Sequence, residues 1–188
     1  MTMTSEGAHW LQQFEWAANS SHSWFDYSRD LFWAAEMLYE RYLASLSLPW
    51  DSPTPTARHM ANPNIVLMLF GLGIENLIKG VIVSKKIPIT KDGKLERWFA
   101  THNIIEHLKT AEIDLTPPQN QLMRRLEKII KRGKYPIDKC PIDPQREIAN
   151  GNNGIVTIAD DVVVIYAIID RITDKVRNIA ICSSKNEF

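Results

Sequence analysis

The segment from Pro63 to Lys85 is apolar on nearly every side, and it constrains the fold more than any other part of the chain. A surface helix carries a polar stripe. A helix without one belongs at the centre of a bundle, surrounded by others. The longest unbroken apolar run, Ile65 to Ile74, stops at Glu75. That is well short of the roughly 20 residues that span a bilayer, so the segment reads as a core helix and no membrane association is expected. Gly73 and Gly80 lie seven residues apart and share a helical face. Each costs about 1 kcal/mol of helix propensity, and together they let a neighbouring helix approach closely.

A buried helix needs amphipathic partners, and the rest of the chain supplies them. Residues 8–18 form a short aromatic-rich amphipathic helix, part of an amino-terminal extension over 1–20. Ser20 to Ser23 interrupts it and offers a cap to the next helix. From Trp24 to about Leu46 a helical stripe recurs through Trp24, Tyr27, Leu31, Ala35, Leu38 and Tyr42. Four prolines between Pro49 and Pro63 mark a loop. Ile87 to Thr101 is a connector with an Asp92-Gly93 turn. Asn103 to Lys109 is a short helix, with Asn103 and Glu106 spaced as a capping box. Pro117-Pro118 opens a further helix that runs to Arg132 and closes at Gly133, with Leu122, Leu126, Ile129 and Ile130 inward. Residues 134–156 form a long irregular connector. The last helix runs from Thr157 to about Ala180, with Thr157 and Asp160 as its capping box. The expected architecture is all-α: one domain over 1–188, an up-and-down bundle of four to five main helices plus a short amino-terminal helix.

Composition narrows the function classes. Lys plus Arg is 22 and Asp plus Glu is 22, so no global field steers the protein onto nucleic acid or an anionic membrane. Any such binding needs a local patch. Two cysteines, Cys140 and Cys182, are too few for a disulfide scaffold and match no zinc spacing. With no basic-then-apolar leader at Met1 to Gly7, they read as reduced thiols in a cytoplasmic protein. No phosphate-binding loop, dinucleotide fingerprint or zinc-protease motif is present, and no cofactor or metal is expected.

Three segments occur together in a telling order. They are Gly73-Ile74-Glu75-Asn76-Leu77-Ile78-Lys79-Gly80, then Thr101-His102-Asn103-Ile104-Ile105-Glu106-His107-Leu108, then Leu126 through Arg132 to Gly133-Lys134-Tyr135-Pro136. The set resembles the HEPN-like superfamily, the "higher eukaryotes and prokaryotes nucleotide-binding" helical domain, best over residues 24–136. The resemblance implies a four- or five-helix bundle that commonly dimerises. It also implies association with RNA, nucleotides or a nucleotidyltransferase partner, in toxin–antitoxin or defence settings. Each motif has a plainer reading beside it. Glu75 and Lys79 are spaced as an i,i+4 pair, which stabilises a helix by a few tenths of a kcal/mol. His102 would cap or brace the helix that follows it, and Gly133 to Pro136 would simply end a helix.

Catalytic members of the superfamily are metal-independent ribonucleases that carry an Arg followed a few residues later by a His. The imidazole takes the ribose 2′-hydroxyl proton, and the guanidinium stabilises the phosphoryl oxygens. Here the matching spacing is Arg97 to His102. It departs from the pattern: Trp98 stands where a polar residue is usual, and the match lies in a connector instead of a late helix. No His follows His107.

Two surfaces carry the remaining expectations. Arg124, Lys128 and Lys131 form a basic stripe opposite the apolar one, with Arg125, Arg132 and Lys134 beside it. It is either a solvated face or a phosphate-binding one. Trp33 and Met37 sit among charges on the far side of the first long helix. Either the amino-terminal aromatic helix folds back over them, or a second copy of the chain does. The leading expectation is a non-catalytic HEPN-like interaction module, a homodimer that binds RNA, a nucleotide or a partner protein. The alternatives are a HEPN-type endoribonuclease and a purely structural protein–protein interaction domain.

Overall fold

The structure, a computed structural model, describes residues 5–46, 62–132 and 158–185. The architecture is all-α. Among the described residues there are six helices: α1 (Ser5–Asn19), α2 (Ser21–Leu46), α3 (Pro63–Ser84), α4 (Ile104–Ala111), α5 (Pro117–Arg132) and α6 (Ile158–Lys185). One two-stranded hairpin, β1 (Thr90–Lys91) and β2 (Lys94–Leu95), interrupts them. The expected Gly133 stop, the 134–156 connector, the Thr157 cap, Cys140 and the Lys134-Tyr135-Pro136 exit lie outside the described residues.

α3 is the centre, as its all-round apolarity requires. It is long and apolar enough to cross a membrane by length and composition, but most of it is buried inside the bundle. Counting the run only to Glu75 understated its length. Asn62 caps its start by accepting from Asn64 N–H at 2.9 Å, and Pro63 occupies the first turn. α2 lies along it in the most extensive helix–helix contact, and α4, α5 and α6 pack on its other sides.

The glycines explain how closely α2 comes. A Cβ at Gly73 would overlap the Cδ1–Cε1 edge of the Phe32 ring, and one at Gly80 the same edge of the Phe25 ring. Phe25 and Phe32 are themselves seven residues apart, so two aromatic knobs drop into two glycine hollows on an antiparallel neighbour. Ser28, between them and buried, donates its hydroxyl to Gly73 C=O at 2.8 Å. Of the stripe expected on α2, Trp24, Ala35, Leu38 and Tyr42 do meet the core, but Tyr27 does not. Tyr27 is 60% exposed, and the inward face runs through Phe25, Ser28, Phe32 and Ala35. An aromatic-rich helix offers several apolar faces, and the glycine hollows select the one that fits.

After α3 the chain turns at Lys86, in the left-handed region at φ 58°, and enters the hairpin. Its register pairs Thr90 with Leu95 and Lys91 with Lys94. Glu96 N–H donates to Ile89 C=O at 2.8 Å, which extends the pairing one step back. Asp92 (φ 50°) and Gly93 (φ 71°) form the two-residue turn, both at positive φ as such a turn requires. α1 rests on this hairpin: Leu11 reaches Gly93, and Asn19 Nδ2 donates to Thr90 Oγ1 at 3.3 Å.

α4 begins where expected. Asn103 Oδ1 accepts from Glu106 N–H, but the Glu106 carboxylate turns to Lys109 at 2.8 Å instead of returning to Asn103. Only half of the capping box forms. α5 buries Leu122, Met123, Leu126 and Ile130. α6 buries Ile158, Val162, Ile165, Ile168 and Ile172 and leaves Val163 and Tyr166 outward.

Candidate functional site

α3 carries two charged residues, Glu75 and Lys79, on a helix with no polar face to put them on. Both are buried, and Lys79 Nζ meets Glu75 Oε1 at 2.6 Å. The i,i+4 pair forms as its spacing suggested, but buried, where its energetics differ from those of an exposed helix pair. Two charges taken out of water cost several kcal/mol each unless fully partnered, and the surroundings supply partners. The Lys79 ammonium lies 5.7 Å from the Trp24 ring centroid and 5.4 Å from that of Phe99. Two aromatic faces thus complement the one carboxylate. Trp24 is held by its indole N–H, which donates to Ala18 C=O at 2.8 Å, and it meets Phe99 edge-on at 5.1 Å.

His102 closes the carboxylate from the connector side. Its Nδ1 lies 3.0 Å from Glu75 Oε2 and 3.3 Å from Oε1. A carboxylate only accepts, so Nδ1 carries the proton and donates. That leaves Nε2 as the ring nitrogen without a hydrogen bond among the described residues. The His102 side chain is 38% exposed, whereas Glu75 and Lys79 are shut in. His102 therefore braces the chain onto α3, not only onto the start of α4.

His107 lies behind this group. It is buried, meets Phe99 at a tilt with ring centroids 6.0 Å apart, and donates Nε2–H to Trp98 C=O at 3.2 Å. Its Nδ1 is buried without a hydrogen-bond partner. Burial first, and the nearby Lys79 charge second, hold its pKa below the ordinary histidine value.

The expected catalytic pair is not assembled as a pair. His102 hydrogen-bonds Glu75, while Arg97 is exposed, one residue before Trp98, with no ion pair and no hydrogen bond to His102 among the described residues. No group of three potential metal ligands occurs among the described residues.

The basic face of α5 is present but partly neutralised. Arg125 turns to Asp161 on α6, and Lys131 meets Glu127 at 2.5 Å. Burial pushes the Asp161 carboxyl up despite Arg125. Arg124 and Lys128 have no ion pair among the described residues; Arg124 and Arg132 are exposed. Lys134 lies outside the described residues.

Trp33 and Met37 stand out of the fold at 64% and 52% exposure. α1 does not cover them, because it is committed to the hairpin. Beside them, Tyr166 Oη on α6 donates to Glu36 Oε1 at 2.8 Å, and Val163 is 69% exposed. Burial, then Glu36, pushes the Tyr166 phenol up to about 12.

Comparison with known proteins finds no match. No family model fits the chain, and neither a curated protein nor a solved structure resembles it closely enough to name. What this chain does rests on its own geometry.

The sequence reading missed Trp24, Phe99 and His107 as parts of one cluster, and the Tyr166–Glu36 link between α6 and α2. A signal for the first was available. A Glu and a Lys four apart on a helix with no solvent face must be buried together and need aromatic or polar company. Nothing local signals the second, because it depends on which helices become neighbours.

Proposed function

We propose that this chain is a non-catalytic, HEPN-like helical interaction module that assembles as a homodimer through the outer face of α2. The observation that carries the reading is the exposure of Trp33 and Met37 while α1, the intramolecular cover, is occupied elsewhere. A tryptophan is a favoured anchor at interface centres. Trp33 and Met37 are one helical turn apart, and Val163 and Tyr166 widen the patch from α6. A two-fold axis through α2 would set Trp33 of one copy against Met37 of the other, and the same patch would serve both subunits. Arg124 and Lys128 on α5 support RNA or nucleotide as the ligand, and the family resemblance supports a nucleotidyltransferase as a further partner.

Sedimentation of the wild type and of Trp33→Glu tests the assembly. The expected result is a dimer that becomes a folded monomer on substitution. A wild type that is monomeric at every concentration overturns it.

The Glu75–His102 contact favours one second reading, a metal-independent ribonuclease in which Glu75 orients His102 as the base. Among the described residues no cation free to hold a phosphoryl group makes a hydrogen bond or ion pair beside the imidazole: Lys79 is buried on Glu75, and Arg97 has no ion pair. RNA incubated with the protein and a chelator should remain intact. Cleavage abolished by His102→Ala would make the second reading the right one.

A further inference from the structure

We infer that the corner built from the β-hairpin and α1 binds single-stranded nucleic acid, with phosphates on Lys86, Lys91, Lys94 and Arg97 and bases against Trp98 and Trp10. This goes beyond the assembly reading and does not depend on the α5 face.

The first observation is charge. Between Lys86 and Trp98 the chain carries these four cations against two acids, Asp92 and Glu96, in a protein whose total charge is zero. All four cations are exposed, and none has an ion pair among the described residues. Elsewhere pairing is common: Lys85 meets Glu112, Lys109 meets Glu106, and Lys131 meets Glu127. The second observation is register. Lys91 and Lys94 are direct cross-strand partners at the hairpin tip. Like charges placed directly opposite destabilise a strand pair. One lysine suffices to discourage edge pairing, so an opposed pair adds a repulsion that edge protection does not require. An anion between the two ammonium groups would remove it. Hairpin pairing through Ile89 and Glu96 puts Arg97 on the leg antiparallel to the one that starts near Lys86, so both legs carry cations.

The third observation is aromatic. Trp98 follows Arg97 and is 39% exposed, braced from behind by Phe99 at 5.4 Å and His107 at 6.4 Å. Trp10, 63% exposed, precedes Leu11, the residue that touches Gly93 in the hairpin turn. Cations flanked by exposed rings, Trp98 at the end of one hairpin leg and Trp10 on the helix against the turn, match a strand whose phosphates are evenly spaced and whose bases present flat faces. A duplex keeps its bases stacked and offers those rings nothing. An anionic membrane is disfavoured by α1, which carries Glu6 and Glu15 and no Lys or Arg.

The test is fluorescence anisotropy with a labelled uridine oligonucleotide of about 15 residues, titrated at low and rising salt. Circular dichroism checks each variant for the wild-type fold. Lys91→Glu with Lys94→Glu should weaken binding about tenfold or more. It should also flatten the log–log salt slope by about 0.7, the value for the one phosphate the two lysines share. Trp10→Ala should weaken binding about fivefold or more and leave the salt slope unchanged, because stacking releases no counterions. The inference is overturned if the wild type fails to bind at low salt, or if the folded Lys91/Lys94 variant binds like the wild type. Loss of binding confined to Arg124→Glu with Lys128→Glu overturns it too, as does tighter binding to a duplex or to phosphatidylserine vesicles.

Discussion

Replacing Gly73 with Ala separates two effects of opposite sign. In an isolated helix the change stabilises by about 1 kcal/mol, the propensity difference between the two residues. Here the new methyl would overlap the Cδ1 and Cε1 edge of Phe32. That ring cannot retreat freely, because it packs against Phe70 with centroids 6.4 Å apart. Overpacking of this kind costs about 1–3 kcal/mol, so the net expectation is a loss of about 0–2 kcal/mol. A net value near zero would be ambiguous, and a double-mutant cycle removes the ambiguity. With Phe32→Leu in the background the methyl has room, and Gly73→Ala should then stabilise by up to about 1 kcal/mol. The coupling should fall between about 1 and 3 kcal/mol, the range for residues in contact. Urea unfolding of the four proteins at one temperature gives all the terms. Gly80→Ala with Phe25→Leu should repeat the pattern. The two hollows are about 10 Å apart along the helix, so the two cycles should be nearly additive. A Gly73→Ala protein that gains about 1 kcal/mol whether or not Phe32 is present would refute the aromatic-knob account of how α2 meets α3.

Glu75→Gln should cost about 3–5 kcal/mol in urea unfolding, because it strands the Lys79 ammonium in the core. Glu75→Leu combined with Lys79→Met should cost clearly less, and equal losses would mean the charges are not what matters there. Stability should fall as the pH drops below about 6.5. The unfolded chain protonates His107 near that value, while the folded protein holds the ring neutral to lower pH, so protons favour the unfolded state. The pH dependence of the urea midpoint reads this directly. His107→Gln should remove that part of the slope, and an unchanged slope would assign the acid sensitivity to other groups.

Much of the bundle was legible because helix periodicity and caps are local. Pro63, Asp92-Gly93 and Asn103 each act within a few residues, and each sits where the sequence puts it. The hairpin around Asp92-Gly93 was readable as a turn but not as paired strands, since two residues a side are too few to show alternation. The orientation of α2 was only partly legible from α2 alone: Trp24, Ala35, Leu38 and Tyr42 meet the core, and Tyr27 does not. Trp24, Phe25, Tyr27, Leu31, Phe32 and Leu38 spread apolar surface around most of the helix, and a period of 3.6 residues does not rank one face over another. The information lay in two segments read together: the seven-residue spacing of Phe25 and Phe32, and the same spacing of Gly73 and Gly80.

The same point applies to the charges. Glu75 and Lys79 look like a surface pair because their spacing is that of surface pairs, and Lys91 and Lys94 look like solvated loop lysines because they flank a turn. Location reverses the first reading and adds a cross-strand repulsion to the second. The first pair is enclosed by Trp24, Phe99 and His102, so its charges have to be satisfied within the fold, and they are. The second pair is opposed across a hairpin and left unsatisfied within the described fold. A chain of zero net charge has acids available to neutralise any exposed lysine, as Glu106, Glu112 and Glu127 do for Lys109, Lys85 and Lys131. A cluster that escapes this pairing, beside two exposed tryptophans, is where an outside anion gains most. The neutral bulk composition therefore argues for a local site there, and against one spread over the surface.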